Sequence, residues 1–145
     1  MRNRKFVAEH RGGPLTKQQH QDLIVWASKC VKHVLILIGQ DLNPSLKEIL
    51  DIGEAWKNGN ASVGDARNAA FRAINIAKDL NDPHIVSAVR AVGHVVAVAH
   101  MADHSIRASD YALKALNECD RDLEKLWQTE QLSTSIRELV IEARK

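Results

Sequence analysis

His84-Ile85-Val86-Ser87-Ala88-Val89-Arg90-Ala91-Val92-Gly93-His94-Val95-Val96-Ala97-Val98-Ala99-His100-Met101-Ala102-Asp103-His104 is the stretch on which the fold turns. Ile85, Ala88, Val89, Val92, Val95, Val96, Ala99 and Ala102 recur at three- and four-residue steps, the period of a helix. Together they cover most of the circumference, and a helix apolar on most sides sits at the centre of a bundle. Asn81-Asp82-Pro83 closes the element before it, and Asp82 is placed to cap the new one. The expectation is one central apolar helix over about residues 84–104. Its apolar runs are far shorter than the 18 or so residues that a membrane span needs.

The flanking sequence supplies the partners. Thr16 with Gln19 has the form of a capping box. Leu23, Ala27, Cys30, Val31, Val34 and Ile38 follow at helical spacing as far as Gly39, a natural stop. A second helix starts near Asn43-Pro44-Ser45, with Ser45 and Glu48 as a further box. It carries Leu46, Ile49, Leu50, Gly53 and Trp56 on one face. A third starts at Ser62 and carries Val63, Ala66, Ala70, Ala73, Ala77 and Leu80, a stripe of mostly small residues that lets a neighbour approach closely. Beyond the central helix a break is expected near Ser105–Ser109. Tyr111, Leu113 and Leu116, then Leu123, Leu126 and Trp127, then Ile136, Leu139 and Val140 belong to shorter helices. No strand pair is evident. The class is all-α: a single-domain bundle of six or seven short helices over 14–145. An irregular arm at 1–13 precedes it, since His10-Arg11-Gly12-Gly13-Pro14 breaks any regular element.

Composition narrows the function classes. The chain has 145 residues, 45% apolar, 26% charged and 4% aromatic, with a net charge of +2. That is too apolar for a disordered chain. Two cysteines, Cys30 and Cys119, are too few for a disulfide framework. They read as buried free thiols of a reducing cytosol, so a cytoplasmic location is expected. Arg2, Arg4, Lys5 and Arg11 form a small basic arm. Nucleic-acid binders show a broader basic stripe with stacking aromatics, so the arm reads as a solvated tail and no nucleic-acid or membrane partner is expected.

The sharpest chemical feature is the set of histidines His94, His100 and His104. On a continuous helix, residues 100 and 104 lie one above the other, the geometry in which two imidazoles share a metal. His94 is offset by about 80° from His104, at 100° per residue. A third ligand from another helix is required, and the sequence does not name it. The ordinary reading is polar groups hydrogen-bonded within the bundle. The alternative is a centre for a divalent transition metal, with hydrolysis as its chemistry. His33, Asp51 and Glu54 read as a solvated face, and Cys30 as core. Gly12-Gly13 before a helix has the look of an anion cradle, but Pro14 makes it a structural turn. No nucleophile elbow, P-loop or dinucleotide fingerprint is present. No catalytic residue and no cofactor is assigned. Trp56, Trp127, Tyr111, Arg67 and Arg72 are of the types enriched at binding hot spots.

Several segments carry a resemblance. They are His10-Arg11-Gly12-Gly13-Pro14-Leu15, Trp26, the run from Val92-Gly93-His94 to His100-Met101-Ala102-Asp103-His104, and Tyr111-Ala112-Leu113-Lys114-Ala115. Near the end come Glu124, Trp127-Gln128, Gln131-Leu132 and Ile136-Arg137-Glu138-Leu139-Val140. Over roughly residues 8–142 the chain resembles a family of small helical bacterial immunity proteins of the immunity-five-like type. It departs from that pattern at Ser133, where a proline is expected. The resemblance implies a non-enzymatic protein that protects its cell by stoichiometric binding of a cognate toxin. It gives Arg11, Gly12, Gly13, Asp103, Tyr111 and Trp127 no defined role. Self-association is an open alternative partner. A decoy of a basic nuclease carries a clear acidic excess, and a chain at +2 does not, so contact shape is expected to carry recognition.

Overall fold

The computed structural model describes residues 3–145, so Arg2 of the basic arm lies outside the described residues. The chain is all-α. Seven helices follow in order: α1 (Lys17–Leu37), α2 (Pro44–Lys57), α3 (Val63–Lys78), α4 (Pro83–Ala97), α5 (His104–Lys114), α6 (Glu118–Glu130) and α7 (Arg137–Ala143). Among the described residues there is no strand, only an isolated bridge between Ala8 and Leu15.

Local chemistry sets most of the starts. Thr16 and Gln19 make a reciprocal capping box on α1, and Ser62 and Asp65 make another on α3. The Asp82 carboxylate accepts from the amides of His84 and Ile85. On α2 the cap is Asn43 rather than Ser45, because Pro44 already occupies the first helical turn. The Asn43 side chain accepts from the amides of Ser45 and Leu46.

Helix α4 is central and packs against α1, α2, α3 and α5. Val89, Val92, Val95 and Val96 are fully buried. Small residues set its closest approach. A Cβ on Gly93 would lie 3.0 Å from the Ala73 Cβ of α3. One on Gly53 of α2 would lie 3.2 Å from a Val96 methyl and 3.3 Å from Ile24. The buried stripe of α3 is Ala66, Ala69, Ala73 and Ala77, while Val63 turns outward.

The central helix is shorter than its periodicity predicts. It ends at Ala97, and residues 98–103 turn the chain back into α5. The amides of Val98, Ala99 and His100 bond three residues back rather than four, so the helix tightens and stops. The Val98 carbonyl is taken by the Nε2–H of buried His20 at 2.5 Å. The Trp56 ring lies against that imidazole, with centroids 4.8 Å apart. Val98, Ala99 and Ala102 stay buried through the turn, so the apolar rhythm runs on across a real break. The expected break near Ser105–Ser109 falls inside α5.

The start of the chain is packed rather than a solvated tail. Two single-turn 3-10 helices, Arg4–Phe6 and Glu9–Arg11, cover residues read as irregular, and Phe6 and Ala8 are buried. Of the two thiols, Cys30 is buried as expected, whereas Cys119 is exposed in the first turn of α6.

Candidate functional site

The expected stacking of His100 over His104 on one helix is replaced by a contact across the corner between α4 and α5. His94 stands in the last turn of α4 and His104 opens α5. Their Nδ1 atoms are 2.8 Å apart, so one ring donates and the other accepts. At least one of the pair is therefore neutral. Tyr111 stacks on His94 at 5.1 Å with an interplanar angle of 11°, and Lys114 Nζ lies over the Tyr111 ring. His100 tilts against His104 at 5.6 Å. Burial pushes His94 down to about 4, helped by His104, Arg107 and Arg90. Burial lowers His104 as well, against the pull of Asp103. Asp103 precedes α5 but its side chain makes no capping bond.

This geometry does not fit a metal centre. The two ring nitrogens point at each other instead of at a shared point. Among the described residues, no group of three or more His, Cys, Asp or Glu side chains is placed to hold a metal ion. The cluster is a ladder of imidazole and phenol rings that fastens the corner.

The glycine pair also has a structural task. Gly12 takes a left-handed φ of +82°. A Cβ on Gly13 would lie 2.0 Å from the Val7 carbonyl oxygen. The loop closes through the amides of Gly13 to Ala8, Leu15 to Val7 and Glu9 to Leu15. At the start of α1, Glu9 accepts from the Lys17 amide and Gln19 from that of Thr16, so the chain supplies its own oxygens there. Arg11 is exposed.

Helix α6 is the feature that periodicity misread. Its spacing of Leu123, Leu126 and Trp127 looks like an inward face. The buried residues of α6 are instead Glu124 and Gln128, while Leu123 is 76% and Leu126 62% exposed. Inward polar residues are held by partners supplied from other helices. Trp26 Nε1–H donates to the Gln128 carbonyl at 2.8 Å, and the Gln128 amide donates to the Ser109 carbonyl at 3.1 Å. Arg144 donates to Gln128 Oε1 at 2.7 Å. Glu124 accepts from His33 Nδ1–H at 2.6 Å. His33, read as solvated, is half-buried and stacks on Trp127 with centroids 3.7 Å apart and planes 16° apart.

With its apolar side outward, α6 forms one wall of a groove of about 670 Å³ beside the end of α1 and the start of α4. Leu37, Ile38, Leu116, Leu123 and Trp127 make it apolar, and the His33–Glu124 pair lies within it. The sequence reads His33 as part of a solvated face and Glu124 only as a residue of the resemblance, and nothing in it signals their pairing. The one legible hint was a Glu and a Gln, 124 and 128, a helical turn apart in a segment of the resemblance. Of the other hot-spot types, Arg72 pairs with Glu48 at the surface and Arg67 is exposed.

No curated protein and no solved structure matches the chain. Residues 13–135 match the family model described as Imm-5 like putative immunity protein. That span begins at Gly13, within the glycine loop, and holds the α4–α5 corner and the whole of α6. The chain thus belongs to the Imm-5 like putative immunity protein family.

Proposed function

We propose that the protein is an immunity protein that binds a cognate bacterial toxin in the cytoplasm of the producing cell and neutralises it by stoichiometric contact, without catalysis. Family membership supports this reading, and one structural observation gives it a means. Helix α6 keeps Glu124 and Gln128 inside and presents Leu123 and Leu126 to the outside. Contiguous exposed apolar surface rimmed by polar groups marks protein interaction sites. Trp127, held flat against His33, is of the type that anchors such interfaces. The decisive experiment is coexpression with the toxin encoded beside this gene. Rescue of growth together with a one-to-one complex is the expected result; a toxin that kills regardless and forms no complex overturns the reading.

A second reading rests on α3, where Phe71 is 56% and Ile74 48% exposed on the outer face. It makes the bundle a self-associating adaptor. Light scattering separates the two, since the immunity reading needs no dimer and the adaptor reading requires one.

A further inference from the structure

We infer that the groove beside α6 receives a toxin segment that presents a bulky apolar side chain next to a lysine or arginine. This rests on the immunity reading and names the surface and the chemistry of its partner.

Three observations converge. The first is the inverted helix, since Leu123 lines the groove and stays 76% exposed, with Leu126 62% exposed on the same helix beside it. The second is order. Trp127 is stacked on His33, and His33 is tied to the buried Glu124, so the apolar wall is rigid before a partner arrives. A preorganised surface loses less conformational freedom on binding. The third is charge. Asp82, Asp120 and Glu124 line the groove and no lysine or arginine does. Glu118 adds to the acidic first turn of α6. Asp82 and Asp120 are in no ion pair among the described residues. The whole chain carries +2, so this acidity is local to the groove and not a share of a general field.

Asp82 caps α4 and Glu124 is held by His33, which leaves Asp120 as the carboxylate open to a partner. An apolar floor beside that carboxylate, with no lysine or arginine in the lining, complements a segment that is apolar and basic and disfavours an acidic one. The exposed stripe of α3 differs on both counts. It is the outer face of a helix, not a concave surface, and Arg67 and Lys78 accompany Phe71 and Ile74 there.

The test uses the full chain and the toxin domain encoded beside its gene, purified in an inactivated form, with calorimetry as the readout. Leu123→Arg alters an exposed position and should leave the melting temperature nearly unchanged, while Asp120→Lys, in the first turn of α6, should lower it only slightly without unfolding the chain. Each is expected to weaken binding about tenfold or more. Phe71→Arg on α3 should stay within about twofold of the parent. Short peptides tiling the toxin should identify a binder that holds Lys or Arg beside Leu, Phe or Trp. That peptide should shift the Trp127 indole signal in a ¹⁵N spectrum. Groove variants that bind like the parent overturn the inference while the immunity reading survives, and so does an acidic binding segment or loss of binding in Phe71→Arg. A parent chain that neither binds nor rescues overturns the immunity reading, and the groove assignment falls with it.

Discussion

His94 Nδ1 lies 2.8 Å from His104 Nδ1 across the corner where α4 gives way to α5. The bond needs one ring to accept, and double protonation destroys it. Burial holds His94 at about 4, and His104 and His20 are lowered too. These groups have folded values below the unfolded 6.5, so the unfolded chain binds more protons in acid. Stability is therefore full above about pH 6.5 and is lost as the pH falls from there towards 4. For His94 the loss near pH 4 is roughly 2 kcal/mol after allowance for its partial exposure. Urea midpoints across this range measure it. His94→Gln, which cannot titrate, should flatten the curve, and a flat curve for the parent chain would refute the assignment.

Arg144 joins the end of the chain to the core. Its guanidinium lies 5.5 Å from the Trp26 ring and donates to Gln128. Arg144→Ala is expected to lower stability by about 1–2 kcal/mol, from the lost hydrogen bond and cation–π contact together. Arg144→Lys should recover little, since an ammonium lacks the planar fork. Chemical denaturation monitored by tryptophan fluorescence checks both.

Adjacent glycines should differ sharply. Gly13→Ala drives a methyl into the Val7 backbone and is expected to cost about 2–3 kcal/mol. Gly12→Ala meets open space and bears only the left-handed backbone penalty, about 1 kcal/mol. Melting temperatures in the reverse order would contradict the loop geometry.

Gly93 lets α4 sit against Ala73 of α3. Replacing a helical glycine normally helps a helix by about 1 kcal/mol. Here Gly93→Val should instead destabilise by about 2–3 kcal/mol, because the neighbour is a methyl fixed to backbone and cannot step aside. A stabilised Gly93→Val protein would disprove the close packing of the two helices.

The two cysteines should react in sequence. Burial pushes the Cys30 thiol well above its ordinary value, while Cys119 is exposed. A thiol reagent is expected to modify Cys119 alone in the native protein and both only in denaturant. Rapid native labelling of Cys30 would mean that α1 is not packed as described.

How much was legible depended on the range of the interaction that decides each feature. The caps at Thr16, Ser62 and Asp82 were readable because donor and acceptor lie within three residues of each other. The all-α class and the central position of α4 follow from apolar spacing, which is likewise local. The end of α4 was not readable. Apolar residues continue through Val98, Ala99 and Ala102, and the carbonyl that closes the helix meets His20, 78 residues away. With that turn the histidine set changed partners, from a pair on one helix to a pair across a corner.

The sequence by itself determined that the chain is helical, where most helices begin, and that an apolar helix lies at the centre. Only the tertiary structure decided which way α6 faces. A spacing of Leu123, Leu126 and Trp127 fixes a face but not its direction. Direction was set by Ser109, Arg144 and His33, which satisfy the Gln128 and Glu124 side chains from outside α6 and so let a polar face lie inside. Burying a polar group is costly only when its hydrogen bonds are unmade, and those partners lie up to 91 residues away in the chain.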